Sequence, residues 1–319
     1  MINLLEKYSP KDFKDIIGNQ DVISQISLIA STKKVPHLII SGPSGIGKTL
    51  SISCLAYTLY GKNFSSNLIL HLSSCHDRGI YAVRTKVKQF INTKVDLPTG
   101  IPKLVIMEEA DNIHQSSQQA LRKMLETSKV SFIFICQNIS NLIEPLQSRC
   151  VLFHLQRIKE LEMYKFLENI CVQENIKYTR DGLDTLTNIS HGDLRIAVNY
   201  LQSLQLCYGQ ISKKKVYNLT GLPPTEKILD LMKLSFSHQI SESYKQLLDI
   251  SNQGYSVYDI LEVFMFHLQE ENLIETEEDR LLLLKKIGDI QITSFDGAGY
   301  LQLGKLLCDF SNMNVTIKI

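Results

Sequence analysis

The run Gly42-Pro43-Ser44-Gly45-Ile46-Gly47-Lys48-Thr49 matches the phosphate-loop pattern G-x-x-x-x-G-K-[ST] at every fixed position. The chemistry of such a run is anion capture. Its glycines let the backbone wrap close to an anion, and the loop amides and the following helix N-terminus then point at phosphate oxygens. Lys48 supplies a point charge for the β- and γ-phosphates, and the Thr49 hydroxyl can ligate Mg²⁺. The apolar run His37-Leu38-Ile39-Ile40 leads into the loop and reads as a buried parallel strand. A helix-forming run from Leu50 to Tyr60 follows. A chance glycine-rich turn is the alternative, and the strand–loop–helix context argues against it. The chain is expected to bind a nucleoside triphosphate.

A second group of candidates surrounds that loop. Leu104-Val105-Ile106-Met107 runs into Glu108-Glu109-Ala110-Asp111, an apolar strand ending in acidic residues. Glu108 would hold Mg²⁺ through its water shell, and Glu109 would orient and deprotonate the water that attacks the γ-phosphate. A solvated acidic turn is the competing reading. Another strand ends in Cys136-Gln137-Asn138, where a polar side chain would sit beside the γ-phosphate, because ligands bind at the carboxyl ends of such strands. Asn138 is the candidate; a structural asparagine closing a strand competes with it. Arg149 precedes the next strand. It reads either as a surface charge or as a finger that stabilises charge on a neighbouring subunit's phosphate, and spacing does not choose between the two. Asp193 in Gly192-Asp193-Leu194-Arg195 is a plausible helix N-cap, which would place Arg195 early in a helix, either solvated or reaching back to the γ-phosphate. Arg78, Arg84 and Lys88 cluster around another helix start. They suit either a charged outer face or a salt-sensitive contact that follows a nucleic-acid backbone without reading bases.

These residues need elements to hold them. Apolar, β-branched runs at 37–41, 68–73, 103–108, 131–136 and 151–155 predict strands. Helical patterns at 19–31, 48–60, 79–92 and 115–127 alternate with them. That alternation predicts an α/β fold with a parallel sheet covered on both faces over residues 1–157. From 158 the pattern becomes helical, with helices predicted at 159–174, 180–188 and 193–207 in a small domain, 158–222. Pro223-Pro224 is a break. Helices at 225–236, 240–252, 256–270, 276–290 and 296–311 predict a separate bundle over 223–319.

The chain has 319 residues, long enough for two or three domains. A hydrophobic content of 44% and a charged content of 21% are ordinary for a globular protein. With a net charge of +1, any grip on nucleic acid must come from a local cluster. Seven cysteines occur without a C-x-x-C pair, which argues against a zinc site and suits a reducing compartment. The N-terminus is mixed and charged rather than a signal peptide, no apolar run is long enough to span a membrane, and neither a low-complexity segment nor an internal repeat is evident.

Together these residues resemble the small subunits of replication factor C, the eukaryotic sliding-clamp loader of the AAA+ class. The resemblance covers almost the full length. It rests on Glu6-Lys7-Tyr8-Ser9-Pro10-Lys11, Ile17-Gly18-Asn19, Pro36-His37-Leu38, Asp77-Arg78-Gly79-Ile80, Gln118-Gln119-Ala120-Leu121-Arg122, Glu144-Pro145-Leu146-Gln147-Ser148-Arg149-Cys150 and Gly192-Asp193-Leu194-Arg195. Gly254-Tyr255-Ser256 and Tyr300-Leu301-Gln302-Leu303 extend it toward the subunit called 2 in human and 4 in yeast. The resemblance implies an AAA+ phosphate-loop domain, a helical lid and a helical collar that holds five subunits in a ring. It implies an ATPase using ATP and Mg²⁺ in a nuclear heteropentamer that acts on a sliding clamp (a PCNA-like ring) and primer–template DNA. Tyr8, Pro10, Ile16, Ile17 and Gly18 would line the adenine pocket; Asn138 and Arg195 would be the first and second sensors. Arg149 would reach the ATP site of an adjacent subunit, the large one for this subtype, and Arg78 and Arg84 would track the template strand.

Two positions depart from the family pattern. Glu108 stands where the family has Asp, moving the carboxylate by about one bond length from a metal that demands near-ideal octahedral geometry. Ser9 stands where the family has Arg. These departures frame a second expectation: a scaffold subunit that binds nucleotide structurally and acts through Arg149 in trans and its collar. A phosphate-loop kinase is disfavoured, since no lid of acceptor-binding residues is evident and about half the chain is helical bundle.

Overall fold

The apolar runs read as strands form a parallel sheet of five strands in the computed structural model: β1 (Leu38–Ser41), β2 (Ile69–Ser73), β3 (Leu104–Glu108), β4 (Ser131–Cys136) and β5 (Val151–His154). The structure describes residues 3–61, 67–73, 80–93, 101–269, 276–294 and 299–312. The central strands β1, β3 and β4 are nearly continuous apolar runs because both faces of the sheet are covered there, whereas the edge strands are partly exposed, at His71 of β2 and at Val151 and Leu152 of β5. Leu38 and Ile40 of β1, Ile133 and Ile135 of β4, and Leu104 and Ile106 of β3 join one core. There they meet Ile26 of α2 (Gln20–Thr32) and Leu55 of α3 (Lys48–Tyr60). The intervening residues Ile39, Val105, Phe132 and Phe134 join the opposite core. That core takes in Val87 of α4 (Ile80–Asn92) and Leu121 of α5 (Gln115–Thr127).

The strand order is β2-β3-β4-β1-β5. β4 therefore lies between β1 and β3, with Ser41 opposite Cys136 and Met107 opposite Phe134. Because every pairing is parallel, the phosphate loop, Glu108 and the residues after Cys136 emerge along one edge of the sheet. A crevice at the carboxyl ends of such strands is where ligands settle.

The same unit includes α7 (Glu160–Gln173), α8 (Arg180–Ile189) and α9 (Leu194–Tyr208), with β6 (Lys177–Tyr178) pairing β7 (Gln210–Ile211) in parallel. A short N-terminal helix, α1 (Leu4–Lys7), packs on α9. Another one-turn helix, α6 (Glu144–Gln147), leads to Arg149. None of these short elements is predicted by periodicity, which needs several turns to show itself.

The chain divides into two compact units, Met1–Lys213 and Lys214–Ile319, near the start of α10 (Lys213–Thr220). The second unit holds α11 (Thr225–Phe236), α12 (Ile240–Asn252), α13 (Val257–Gln269), α14 (Glu277–Ser294) and α15 (Gly299–Ser311). Its own core centres on Phe264 and Phe310, whose rings meet edge to face at 5.9 Å, with Phe236 stacked on Phe310 at 5.2 Å. Among the described residues no helix is long and apolar enough to cross a membrane.

Candidate active site

The phosphate loop adopts the conformation its glycines allow. Gly42 has φ +145°, and a side chain there would meet the Leu155 carbonyl at 2.4 Å. Gly45 has φ +67°, and a Cβ would stand 1.7 Å from the Asp193 carboxylate. Lys48, first residue of α3, folds back and donates to the carbonyls of Gly42 and Pro43 at 2.6 and 2.5 Å. Burial pushes its ammonium below the ordinary lysine range, while Asp111 and Asp193 oppose that shift. Ser44 through Leu50 border a cleft of about 320 Å³.

The other walls of this cleft come from distant parts of the chain. Glu108 and Glu109 border it from the end of β3. Glu109 takes a left-handed backbone, φ 49°, and its carboxylate accepts from Asn112 Nδ2 at 3.3 Å. Thr49 and Glu108 lie on the same cleft. A hydroxyl and one carboxylate, completed by phosphate and water oxygens, form a hard-oxygen donor set that suits Mg²⁺. Leu4, Leu5, Tyr8, Pro10, Ile16 and Ile17 give the cleft a mostly apolar end, with Ser9 and Asp15 as its polar members. Gly18 is buried behind it, beside Asn19, whose amide exchanges hydrogen bonds with the Gln156 backbone at 2.9 and 2.8 Å. Phe166 of α7 and Leu194, Arg195 and Val198 of α9 close the cleft from the helical side.

Asp193 is more than a helix cap. Its Oδ1 accepts from the amides of Arg195 and Ile196 at 2.9 and 3.1 Å, the N-cap bonds expected at the start of α9. Its Oδ2 accepts from the Ser44 hydroxyl at 2.8 Å, and the Leu194 amide donates to the Gly45 carbonyl at 3.3 Å. The phosphate loop and the helix bearing Arg195 are thus joined directly. A sequence shows the cap motif but not the cross-link.

Gln137 and Asn138 are both exposed at the end of β4, and of the two only Gln137 borders the cleft. The Asp111 carboxylate accepts from the backbone amides of Gln137 and Asn138 at 3.1 and 3.3 Å, fixing that turn against the end of β3. Arg149 is also absent from its own cleft. Its guanidinium pairs with Glu126 at 2.7 Å and donates to the Pro145 carbonyl at 2.8 Å. The turn that leads to it is held by buried Gln118, which donates to the Ile113 and Asn141 carbonyls and accepts from the Ile143 amide. Lys88 is exposed on α4, which also contains Arg84; Arg78 lies outside the described residues.

Residues 38–156 match the model of the ATPase family associated with various cellular activities (AAA), and residues 223–309 match the replication factor C C-terminal domain. Replication factor C subunit 4 of Saccharomyces cerevisiae is 36% identical across 97% of this chain and 96% of that protein. The chain belongs to the replication factor C small-subunit family. Subunit 2 of Arabidopsis thaliana is 34% identical across 98% of this chain and 94% of its own length. The small subunit of Saccharolobus solfataricus is 34% identical across 95% and 92%. A Thermotoga maritima RuvB structure shares the fold, with a TM-score of 0.55 at 16% identity over 85% of this chain and 93% of that one. The protein is accordingly an AAA ATPase of the clamp-loader class, with the nucleotide-binding fold and helical C-terminal domain that its residues predict.

Proposed function

We propose that this chain binds ATP and Mg²⁺ in the cleft and hydrolyses ATP as one small subunit of a heteropentameric replication factor C. The assembly would open a sliding clamp and place it on primer–template DNA in the nucleus. The observation behind this reading is the convergence on one cleft of the phosphate loop, the acidic pair Glu108 and Glu109, Gln137 and Arg195. Arg149 meanwhile stands outside that cleft.

The loop amides and Lys48 hold the β- and γ-phosphates, and Arg195 meets the γ-phosphate from α9. Thr49 and Glu108 would hold Mg²⁺, which would spread the charge that develops on the phosphate oxygens. Glu109 takes a proton from the attacking water, the γ-phosphoryl group passes to that water, and ADP departs with its electron pair on the β-phosphate oxygen. Tyr8, Pro10, Ile16 and Ile17 offer the base an apolar end. Hydrolysis works as a release switch: triphosphate draws subunits together, and its loss lets clamp and DNA go. Arg78, Arg84 and Lys88 would follow the DNA backbone, and residues 223–319 would form the collar.

The test is Glu109→Gln in this chain alone within the assembled complex. Turnover should fall by about the contribution of one working site, with nucleotide still bound. Unchanged turnover would instead support a scaffold subunit that contributes Arg149 and collar contacts.

A further inference from the structure

The apolar end of the cleft is built by a segment anchored to the helical side of the unit. Tyr8 borders the cleft, and its hydroxyl donates to Glu174 Oε1 at 2.6 Å. Lys7 Nζ donates to the same oxygen at 2.5 Å. One turn earlier, the buried Leu4 offers its amide to Gln202 Oε1 on α9 at 3.2 Å. The strap from Leu4 to Tyr8 is therefore fastened to α9 and to the end of α7.

The position of Glu174 is unusual for a carboxylate. It is the C-cap of α7, where the helix dipole presents its negative end and favours cations. Its place is not explained by helix stability. Its hydrogen bonds from Lys7 and Tyr8 hold the carboxyl below the ordinary glutamate range. Burial first, and the bond to Glu174 second, push the Tyr8 phenol up to about 12, so it remains a donor.

We propose that Glu174 is a positioning residue for the nucleotide base: it fixes the Tyr8 ring at the apolar end of the cleft and makes the strap part of the body that carries Arg195. The base and the γ-phosphate are then felt by the same helices, α7 and α9. This inference rests on the cleft being the ATP site.

The test compares ATP with inorganic tripolyphosphate, which has the phosphates and lacks the base, on the full chain by titration calorimetry. Glu174→Ala should weaken ATP about fivefold, the equivalent of one net hydrogen bond, and leave tripolyphosphate affinity unchanged. Glu174→Gln, still an acceptor, should restore most of the loss. Tyr8→Phe should add nothing in the Glu174→Ala background, because its hydroxyl acts through that carboxylate. Equal weakening of both ligands would mean a general structural role and overturn the proposal, as would an unaltered ATP affinity. Failure of the unaltered chain to bind ATP would instead remove the nucleotide-site reading beneath it.

Discussion

Gln137 and Asn138 are adjacent polar residues after one apolar strand, and only Gln137 borders the cleft. Their amides share the Asp111 carboxylate, and Asn138 continues in extended backbone at φ −111°. Successive side chains of an extended segment face opposite ways, so directing Gln137 into the cleft directs Asn138 out of it. Residue type does not choose between them, because either amide can hold a water; the direction of the turn depends on Asp111, whose partners are 26 and 27 positions away. Gln137→Ala should therefore lower turnover at this chain's own site about tenfold or more, as expected for removal of one positioning hydrogen bond near the transition state. Asn138→Ala should leave it within about twofold, since surface changes rarely matter beyond ~0.5 kcal/mol. Steady-state ATPase of a complex in which only this chain keeps a working phosphate loop separates the two. The opposite ranking would return the sensor role to Asn138. A pH dependence follows at the same scale. Glu174 is held below its ordinary value by Lys7 and Tyr8, so its tie to the strap is complete above the usual glutamate range. It is lost only as pH falls through the lowered value. Strap amides followed by hydrogen exchange should stay protected at neutral pH and open on acidification, and Glu174→Ala should open them at neutral pH.

Legibility at the level of elements follows from how each element is stabilised. The central strands were readable because their positions alternate between two buried faces and stay apolar; Leu38, Ile39 and Ile40 are all fully buried. Most of the longer helices were readable from apolar periodicity, but the eight-residue α10 was not among those predicted. α1, α6, β6 and β7 were not, since elements of 2 to 4 residues have too few positions to show a period and exist through tertiary contacts such as Leu4 on Gln202. The phosphate loop was legible, because Gly42 and Gly47 carry backbone conformations at φ +145° and +94° that favour glycine. The link between Ser44 and Asp193, 149 positions apart, was not. Lys103 shows how far an element can depend on one such contact. It is 6% exposed, yet its ammonium reaches the carbonyls of Phe90, at 2.9 Å, and Thr93 at the C-terminal end of α4. A cation there satisfies orphan carbonyls and complements the helix dipole. Lys103→Met keeps the aliphatic stem and strands those carbonyls, so the first unit should lose about 1–3 kcal/mol. Urea denaturation followed by a probe in the first unit measures it. A change of under ~0.5 kcal/mol would mean that water replaces the ammonium without loss.

The whole molecule has its nucleotide cleft in the first unit and a separate apolar core in the second. That arrangement suits a protein whose chemistry and assembly are divided between domains. On the second unit, Ile240, Tyr244 and Leu248 recur along one face of α12 and are 38, 44 and 45% exposed, the spacing of a helical contact stripe. In the first unit Arg149 is exposed, lies off its own cleft and is held by Glu126 and Pro145. Its pairing with a solvent-facing carboxylate contributes little stability, since exposed ion pairs are worth about 0–1 kcal/mol. The arginine can leave Glu126 at small cost when an adjacent subunit presents a triphosphate, whose oxygens match the guanidinium fork better than a single carboxylate does. If Arg149 acts in trans, Arg149→Ala should leave ATP binding at this chain's Lys48 site intact and depress hydrolysis at the neighbour's site by a factor on the order of 10³. The decisive arrangement is a complex in which one subunit at a time retains a working phosphate loop. Activity should vanish when the neighbour holds the only competent site and persist when this chain does. Loss confined to this chain's own site would show that the finger closes on its own cleft, and the geometry that now separates Arg149 from Lys48 would have to rearrange within one subunit.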